Sequence, residues 1–200
     1  MEDQKKVWDK IAPEWAKYKK PGEKTLDFME NQEGKVLDMG CGSGRYMIKK
    51  KNQEYYGIDF SREMIKLAKK KAKILGINAE LKVAGVDKIP YPDNFFDSAL
   101  YDSSLHCIHS KIKRKNSLKE LFRVLKPEGI AKINVWNKEA KRFRNKKKKD
   151  TVKWTTKGPR SYYFYDPKEL YKEIEDAGFK ILIKKEPTLA IVVRIQKPKN

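Results

Sequence analysis

The sequence predicts an α/β protein in which helices cover both faces of a mostly parallel sheet. Short apolar segments typical of buried strands alternate along the chain with longer segments that have helical periodicity. A glycine-rich loop, 40–44, directly follows the first of these strands. Alternating strands and helices form βαβ units with right-handed crossovers, which leads to a parallel sheet.

The N-terminal part, 1–33, carries two predicted helices. Apolar side chains recur at helical spacing from Val7 to Tyr18, and Pro21-Gly22 ends this first helix. A second helix fits 23–31. We expect both helices to belong to a single domain that spans 1–200.

The central part, 34–136, is the predicted core. Five strands are predicted, with the sequences "KVLDM", "EYYGIDF", "AELKVAG", "FFDSALY" and "IAKINVW". Residues 44–50 are predicted to be helical. Ser61 is expected to cap a second helix of the core that ends at Gly76, and "LKELFRVL" to close a third.

The last third of the chain divides into two parts. Residues 137–165 form a basic and aromatic insertion, with an irregular or mobile loop over 138–160 and a strand or sheet-edge ribbon at "SYYFY". In the part 166–200, Asp166-Pro167-Lys168-Glu169 is a capping box with proline at the first helical position. Its helix is followed by "FKILIKK" and "LAIVVRI", which predict a terminal antiparallel hairpin.

Charge is the outlying feature of the composition. The chain has 47 Lys and Arg against 27 Asp and Glu, a formal charge of +20. Such a charge attracts polyanions, above all nucleic acid, although a lysine-rich proteome would also produce it. Two cysteines are too few for a disulfide framework or a self-contained zinc site. Because no apolar run approaches membrane-spanning length, we expect a cytoplasmic protein with no membrane contact and no metal.

The glycine loop indicates the class of ligand. A dinucleotide site has the spacing G-x-G-x-x-G, whereas this loop has G-x-G-x-G with Asp38 just upstream. An acid there repels phosphate but suits S-adenosylmethionine, which carries an ammonium and a sulfonium and no phosphate. Asp59 follows Asp38 by 21 residues, near the offset expected for an acid that binds ribose hydroxyls. The alternative is a tight turn with a solvated acid.

Four stretches resemble the class I S-adenosylmethionine-dependent methyltransferases: "VLDMGCGSGRY", "GIDFS", "VDKIPYPDNFFDSALYDSSLH" and "ELFRVLKPEG". The resemblance implies a Rossmann-like fold with a seven-stranded sheet whose last strand is antiparallel. It also implies S-adenosylmethionine as cofactor, S-adenosylhomocysteine as product, and a set of cofactor-binding residues. These are Asp38, Gly40, Cys41, Gly42, Gly44, Asp59, Phe60, Met64, Val86, Asp87 and Asp102.

A narrower resemblance is to the tRNA wobble-uridine carboxymethyl methyltransferases. It is carried by "VWDKIAPEW", "SLHCIHS", "INVWNKEA" and "VKW…RSYYFY…ELYKEIEDAGF". This resemblance implies methyl esterification of 5-carboxymethyluridine and a small zinc-containing activator protein as partner. The chain departs from the family pattern at Gly85, at His106-Cys107 and at 19–22, positions that bear on adenine recognition and on the substrate.

The acceptor chemistry decides which side chains are needed. A carboxylate acceptor is already ionised and needs a cation beside it, for which Lys19, His106 and above all Arg160 are candidates. A neutral acceptor would need a base, and Asp102 and His106 are candidates. Asp102 is equally suited to binding the methionine portion or capping the next helix, and His109 is expected at the surface. Our candidate catalytic residues are therefore Asp102, His106 and Arg160.

Basic and aromatic residues together predict RNA binding. The stretch "KRFRNKKKK", 141–149, has seven basic residues in nine, and aromatic residues follow it. Phosphates would contact the cations while bases stack on the rings, although a charge run can also be a solvated loop. The residues predicted to bind substrate or RNA are Lys19, Arg142, Arg144, Lys146, Lys147, Trp154, Arg160 and Tyr163.

Two other function classes remain open from sequence. One is a methyltransferase that acts on a small molecule or a protein, for which the basic stretch is incidental. The other is a non-catalytic RNA-binding subunit that retains the methyltransferase fold.

Overall fold

The computed structural model describes residues 3–153 and 158–199. Five helices are present in these ranges: α1 Gln4–Tyr18, α2 Glu23–Glu30, α3 Arg62–Leu75, α4 Lys111–Val124 and α5 Pro167–Asp176. Nine strands are present as well: β1 Gly34–Met39, β2 Gln53–Asp59, β3 Ala79–Val83, β4 Phe96–Asp102, β5 Leu125–Trp136, β6 Lys149–Lys153, β7 Pro159–Tyr163, β8 Lys180–Lys184 and β9 Ala190–Gln196. No helix among these is long and apolar enough to span a bilayer.

Seven strands form one sheet in the order β3-β2-β1-β4-β5-β9-β8. The pairs from β3 to β5 are parallel, whereas β9 is antiparallel to both β5 and β8. This arrangement confirms the predicted Rossmann-like methyltransferase sheet with its antiparallel last strand. The strand order reverses between β1 and β4, which is where open α/β sheets place their ligands.

Two apolar clusters cover the faces of the sheet. On one face, buried residues of α4 and α5, such as Leu121 and Ile174, pack on Leu37 and Tyr101. On the other, residues of α2 and α3 pack on alternate strand positions, among them Val36. This alternation follows from the two-residue period of a strand, and it confirms helices on both faces.

Local signals placed most helix ends correctly. Ser61 Oγ accepts a hydrogen bond from the Met64 amide at 3.1 Å, and Asp166 Oδ1 accepts one from the Glu169 amide at 3.0 Å. Gly76 ends α3 in the left-handed conformation. The helix predicted over 44–50 was wrong: Gly44 has a φ of +74°, outside the helical region, and turns at 42–46 and 51–52, with irregular chain between them, lead to β2.

The insertion is more ordered than predicted. β6 and β7 pair antiparallel in a separate two-stranded sheet, a hairpin, so the expected loop over 138–160 contains all of β6 and the start of β7. A third apolar cluster joins this hairpin to α1 through Trp8, Ile11, Tyr162 and Phe164. The hairpin and α1 therefore support each other beside the carboxyl edge of the main sheet.

Candidate active site

A cavity of about 400 Å³ opens at the carboxyl ends of the parallel strands. Ten of the predicted cofactor-binding residues line it: Asp38, Gly40, Cys41, Gly42, Asp59, Phe60, Met64, Val86, Asp87 and Asp102. Gly44 lies just outside the lining, where an added Cβ would meet the Met47 methyl group at 2.8 Å. Residues that the sequence pattern singled out thus meet in this cavity from four separate loops.

Gly40 fixes the contact between the loops after β1 and β4. Its φ is +73°, and a Cβ there would lie 2.5 Å from the Cβ of Ser104. Ser104 Oγ donates a hydrogen bond to the Met39 carbonyl at 2.8 Å, which holds the two loops together. Only glycine satisfies both the positive φ and the close approach.

Two buried acids face the cavity. Asp38 accepts a hydrogen bond from the Tyr55 hydroxyl at 2.6 Å, and burial raises its pKa to about 7. Asp59 accepts hydrogen bonds from the amides of Gly42, at 3.0 Å, and Ser61, at 2.9 Å. Burial raises the pKa of Asp59 to about 6. A ligand with positive charge at this edge would favour the ionised form of both acids.

S-adenosylmethionine fits this set of side chains. Asp38 offers an acceptor for an ammonium, Asp59 offers acceptors for ribose hydroxyls, and Gly40 leaves room where any side chain would collide with Ser104. Phe60, Met64 and Val86 supply apolar surface for an adenine ring. Asp87 lines the same end of the site, 3.5 Å from Lys113 Nζ, and would take the place of the acid missing at Gly85.

Helix α1 contributes a wall of the cavity that sequence analysis did not assign to the site. Trp8 and Trp15 line it together with Lys19, which was expected there as a substrate residue. Asp9 ties α1 to the start of α3, because its carboxylate accepts hydrogen bonds from Ser61 Oγ at 2.5 Å and the Glu63 amide at 3.2 Å. These residues belong to the stretch "VWDKIAPEW", and its resemblance to the wobble-uridine methyltransferases was the signal in the sequence that α1 contributes to the site.

Asp102 is the centre of a hydrogen-bonded group. Its Oδ2 accepts from Arg45 Nη2 at 2.7 Å and from the Tyr46 hydroxyl at 3.1 Å, while its Oδ1 accepts from Asn134 Nδ2 at 2.8 Å. Arg45 and Tyr46 also line the cavity. Neither was predicted as a site residue, although Arg45 directly follows the glycine loop.

His106 does not have the surroundings that its predicted role requires. Its ring is buried, stacks on Trp136 at 5.0 Å, and accepts a hydrogen bond from the Trp136 amide at Nδ1. Burial and the charge of Arg160 lower its pKa to about 3, so the ring is neutral. It is not among the described residues that line the cavity, whereas His109, expected at the surface, does line it. We therefore do not assign His106 a direct chemical role.

Arg160 and Tyr163 are also less accessible than predicted. The Arg160 guanidinium is buried against aromatic rings, 5.0 Å from the ring centre of Trp15 and 5.1 Å from that of Tyr162. Tyr163 is buried, donates a hydrogen bond to Glu169 and packs on Arg114 at 3.6 Å. Tyr163 is therefore not exposed for stacking on a base, because both faces of β7 are covered.

The basic segment, 141–149, is folded but presents most of its charges to solvent. Phe143 is buried and stacks on Trp136 at 4.8 Å, which holds the segment against the third apolar cluster. Its exposed cations include Arg142, Arg144 and Lys147, and Lys146 is half-buried beside Asp150 at 3.6 Å. Trp154 lies outside the described residues.

Comparison with known proteins agrees with the fold and site. A family model described as a methyltransferase domain matches residues 30–178. The chain is 32% identical over 137 residues to a tRNA (carboxymethyluridine(34)-5-O)-methyltransferase of Arabidopsis thaliana, covering 67% of this chain and 32% of that protein. It thus spans about a third of the length of that relative.

Solved structures of methyltransferases have the same fold. A SAM-dependent methyltransferase from Aquifex aeolicus superposes with a TM-score of 0.69 at 27% identity, covering 98% of this chain and all of that one. A structure of the Haloferax volcanii Trm112 methyltransferase activator with a candidate methyltransferase matches with a TM-score of 0.74 at 17% identity. That match covers 96% of this chain and 97% of that chain, and it bears on the fold alone.

The fold and the site define a class I methyltransferase that uses S-adenosylmethionine. The chain belongs to the methyltransferase-domain family, whose model matches well over half of its length.

Proposed function

We propose that this protein transfers a methyl group from S-adenosylmethionine to the carboxylate of 5-carboxymethyluridine at the wobble position of a tRNA. One observation supports RNA as the substrate above others: Arg142 of the basic segment acts electrostatically on Lys19, which lines the cofactor cavity. The pKa of Lys19, a cavity-lining residue, is lowered by burial and also by the charges of Arg160, Arg45 and Arg142. RNA bound along the segment would bring a nucleotide to the cavity. The Arabidopsis relative supports the choice of nucleotide.

The arrangement suits an acceptor that is already ionised. When bound, S-adenosylmethionine would supply an electrophilic methyl group on a sulfonium: an O–CH₃ bond to the acceptor would form as the S–CH₃ bond breaks, and a neutral thioether would leave. The protein then has to align the two groups and exclude water, and alignment contributes roughly 7–11 kcal/mol in favourable cases. Asp102 already accepts three hydrogen bonds, and His106 lies apart from the cavity. A carboxylate acceptor requires no proton transfer to either of them.

A small activator protein is part of the proposal. The Haloferax structure contains a Trm112 activator beside a chain of this fold. By analogy, we expect a small activator protein of that kind to raise the activity of this chain. Assays should therefore be carried out with and without such a protein.

The test follows labelled methyl from S-adenosylmethionine into tRNA that carries 5-carboxymethyluridine, with the same tRNA lacking that group as control. Methyl esters hydrolyse in mild alkali and release methanol. We expect label to enter only the carboxymethylated tRNA and to leave as methanol. Label that survives alkali would refute esterification, and no incorporation with activator and modified tRNA supplied would refute tRNA as the substrate.

A further inference from the structure

Arg45 occupies an unusual position for a cation, because it lies directly beside the cofactor loop. It follows Gly44 in the sequence, and its guanidinium packs over the Tyr46 ring at 4.5 Å. Its side chain is 20% exposed, whereas that of its partner Asp102 is 2% exposed. Both side chains line the cavity, and the guanidinium is the more exposed of the two.

The surroundings of Asp102 indicate what this acid does. Besides Arg45, the Tyr46 hydroxyl and Asn134 Nδ2 donate to it, so both of its oxygens are engaged. An acid whose two oxygens are both engaged by donors holds those donors in one geometry. Asp102 is thus suited to orienting Arg45. A guanidinium has five N–H donors, and the contact with Asp102 is made through Nη2 alone.

A second cation faces the same cavity from α1. Lys19 is half-buried, lines the cavity, and places its Nζ 4.8 Å from the centre of the Trp15 ring. The aromatic side chains Trp8 and Trp15 lie on the same wall. The cavity therefore has two chemically different parts. Buried acids line it at the cofactor loop, whereas cations and aromatic side chains line it where α1 covers it.

We propose that Arg45, held by Asp102, binds the carboxylate of the methyl acceptor, with Lys19 as the second cation. This inference rests on the proposed function and names the residues that select its substrate. The planar fork of arginine matches the two oxygens of a carboxylate. A phosphate of the RNA backbone and the carboxylate of the cofactor share the same negative charge, and the experiment separates them.

The test uses free nucleosides and protein saturated with S-adenosylhomocysteine. Binding is followed by tryptophan fluorescence, since Trp8 and Trp15 line the cavity. The ligands are 5-carboxymethyluridine, its neutral amide 5-carbamoylmethyluridine, and uridine 5′-monophosphate. We expect the wild type to bind the acid at least tenfold more tightly than the amide. Equal binding of the two, or binding of neither, would overturn the proposal.

Variants then assign the discrimination to Arg45. Arg45→Met should abolish the preference for the acid, and Arg45→Lys should retain part of it while keeping a charge beside Asp102. Asp102→Asn should weaken the preference for the acid, because Asp102 acts through Arg45. Lys115→Met, which removes an exposed charge on α4, should leave the preference unchanged.

Two results would reassign Arg45 to another anion. Loss of S-adenosylhomocysteine affinity in Arg45→Lys, with the preference for the acid intact, would place the cofactor carboxylate there. Loss of uridine 5′-monophosphate binding alone would place a phosphate there. Failure of the tRNA assay with intact nucleoside discrimination would refute the proposed tRNA function and leave the role of Arg45 standing.

Discussion

Replacing Asp38 by asparagine should make the free protein more stable at high pH and weaken cofactor binding. In the folded protein the pKa of Asp38 rises from 3.8 to about 7, chiefly through burial. Each pKa unit corresponds to about 1.4 kcal/mol, so ionisation of Asp38 lowers the free energy of unfolding by about 4 kcal/mol at high pH. The pKa of Asp38 is higher in the folded than in the unfolded protein. The stability of the form with protonated Asp38 is therefore fully present below about pH 4 and is lost as the pH rises through 7.

Urea unfolding of the cofactor-free protein at pH 5 and pH 8.5 measures the effect. The asparagine side chain of the variant cannot ionise and can still accept a hydrogen bond from Tyr55. The gain in stability of Asp38→Asn over the wild type should therefore be about 2.5 kcal/mol larger at pH 8.5 than at pH 5. The titration of Asp59 is common to both proteins and largely cancels. Calorimetric titration should show that S-adenosylmethionine binds the variant at least tenfold more weakly, since a charged partner for its ammonium is removed.

Tyr55→Phe is the matched control. The Tyr55 hydroxyl donates to the Asp38 carboxylate at 2.6 Å and so favours its ionised form. Its removal should raise the pKa of Asp38 further, so that the loss of stability begins at the same pH but continues to higher pH and becomes larger in total. A difference between wild type and Asp38→Asn that is the same at both pH values would refute the assignment of a raised pKa to Asp38.

Three further predictions concern the cofactor loop and the basic segment. Asp59→Ala should weaken S-adenosylmethionine binding at least tenfold in calorimetry, since the substitution removes both the proposed ribose acceptor and the tie to the Gly42 amide; unchanged affinity would contradict the assignment. Gly40→Ala should lower the free energy of unfolding by roughly 1–2 kcal/mol from the positive φ of this residue alone, with a further loss from the collision with Ser104, and should abolish cofactor binding. Replacing four cations of the basic segment by glutamine should lower the affinity for tRNA. In titrations at several salt concentrations, the slope of log K against log salt should become less negative, by about 0.7–0.9 for each phosphate that is no longer neutralised. The cations are Arg142, Arg144, Lys146 and Lys147. The matched control replaces four exposed lysines on α3, Lys66, Lys69, Lys70 and Lys73; an equal effect there would mean that the basic segment has no special role.

The cofactor half of the site could be predicted because its determinants are local. A strand, a glycine loop and an acid at a fixed offset can be recognised within roughly 25 residues. The topology of a parallel sheet then brings the carboxyl ends of the strands to one edge. Asp38 and Asp59 line the cavity for this reason. Caps such as Ser61 were predictable on the same basis, since a cap is completed within one helical turn.

The acceptor half could not be predicted, because its contacts join distant parts of the chain. Arg45 and Asp102 are 57 residues apart, and nothing near either residue reveals the other. The stretch "SYYFY" has the composition of a nucleic-acid surface, yet its aromatic residues are buried because α1 covers one face of β7 and the α4–α5 cluster covers the other. His106 does not have its expected role for a related reason: packing against Trp136 and the charge of Arg160 keep its ring neutral.

The sequence alone therefore determined the order of the five core strands, the glycine loop and the positions of the two acids, Asp38 and Asp59, that line the cavity. Each of these depends on backbone geometry and periodicity within a short segment. Only the tertiary structure decided which cations and rings reach the cavity. Burial, and the pKa values and pairings that follow from it, depends on all the elements that pack around a side chain, and α1, the hairpin and the carboxyl edge of the sheet meet only in the folded protein.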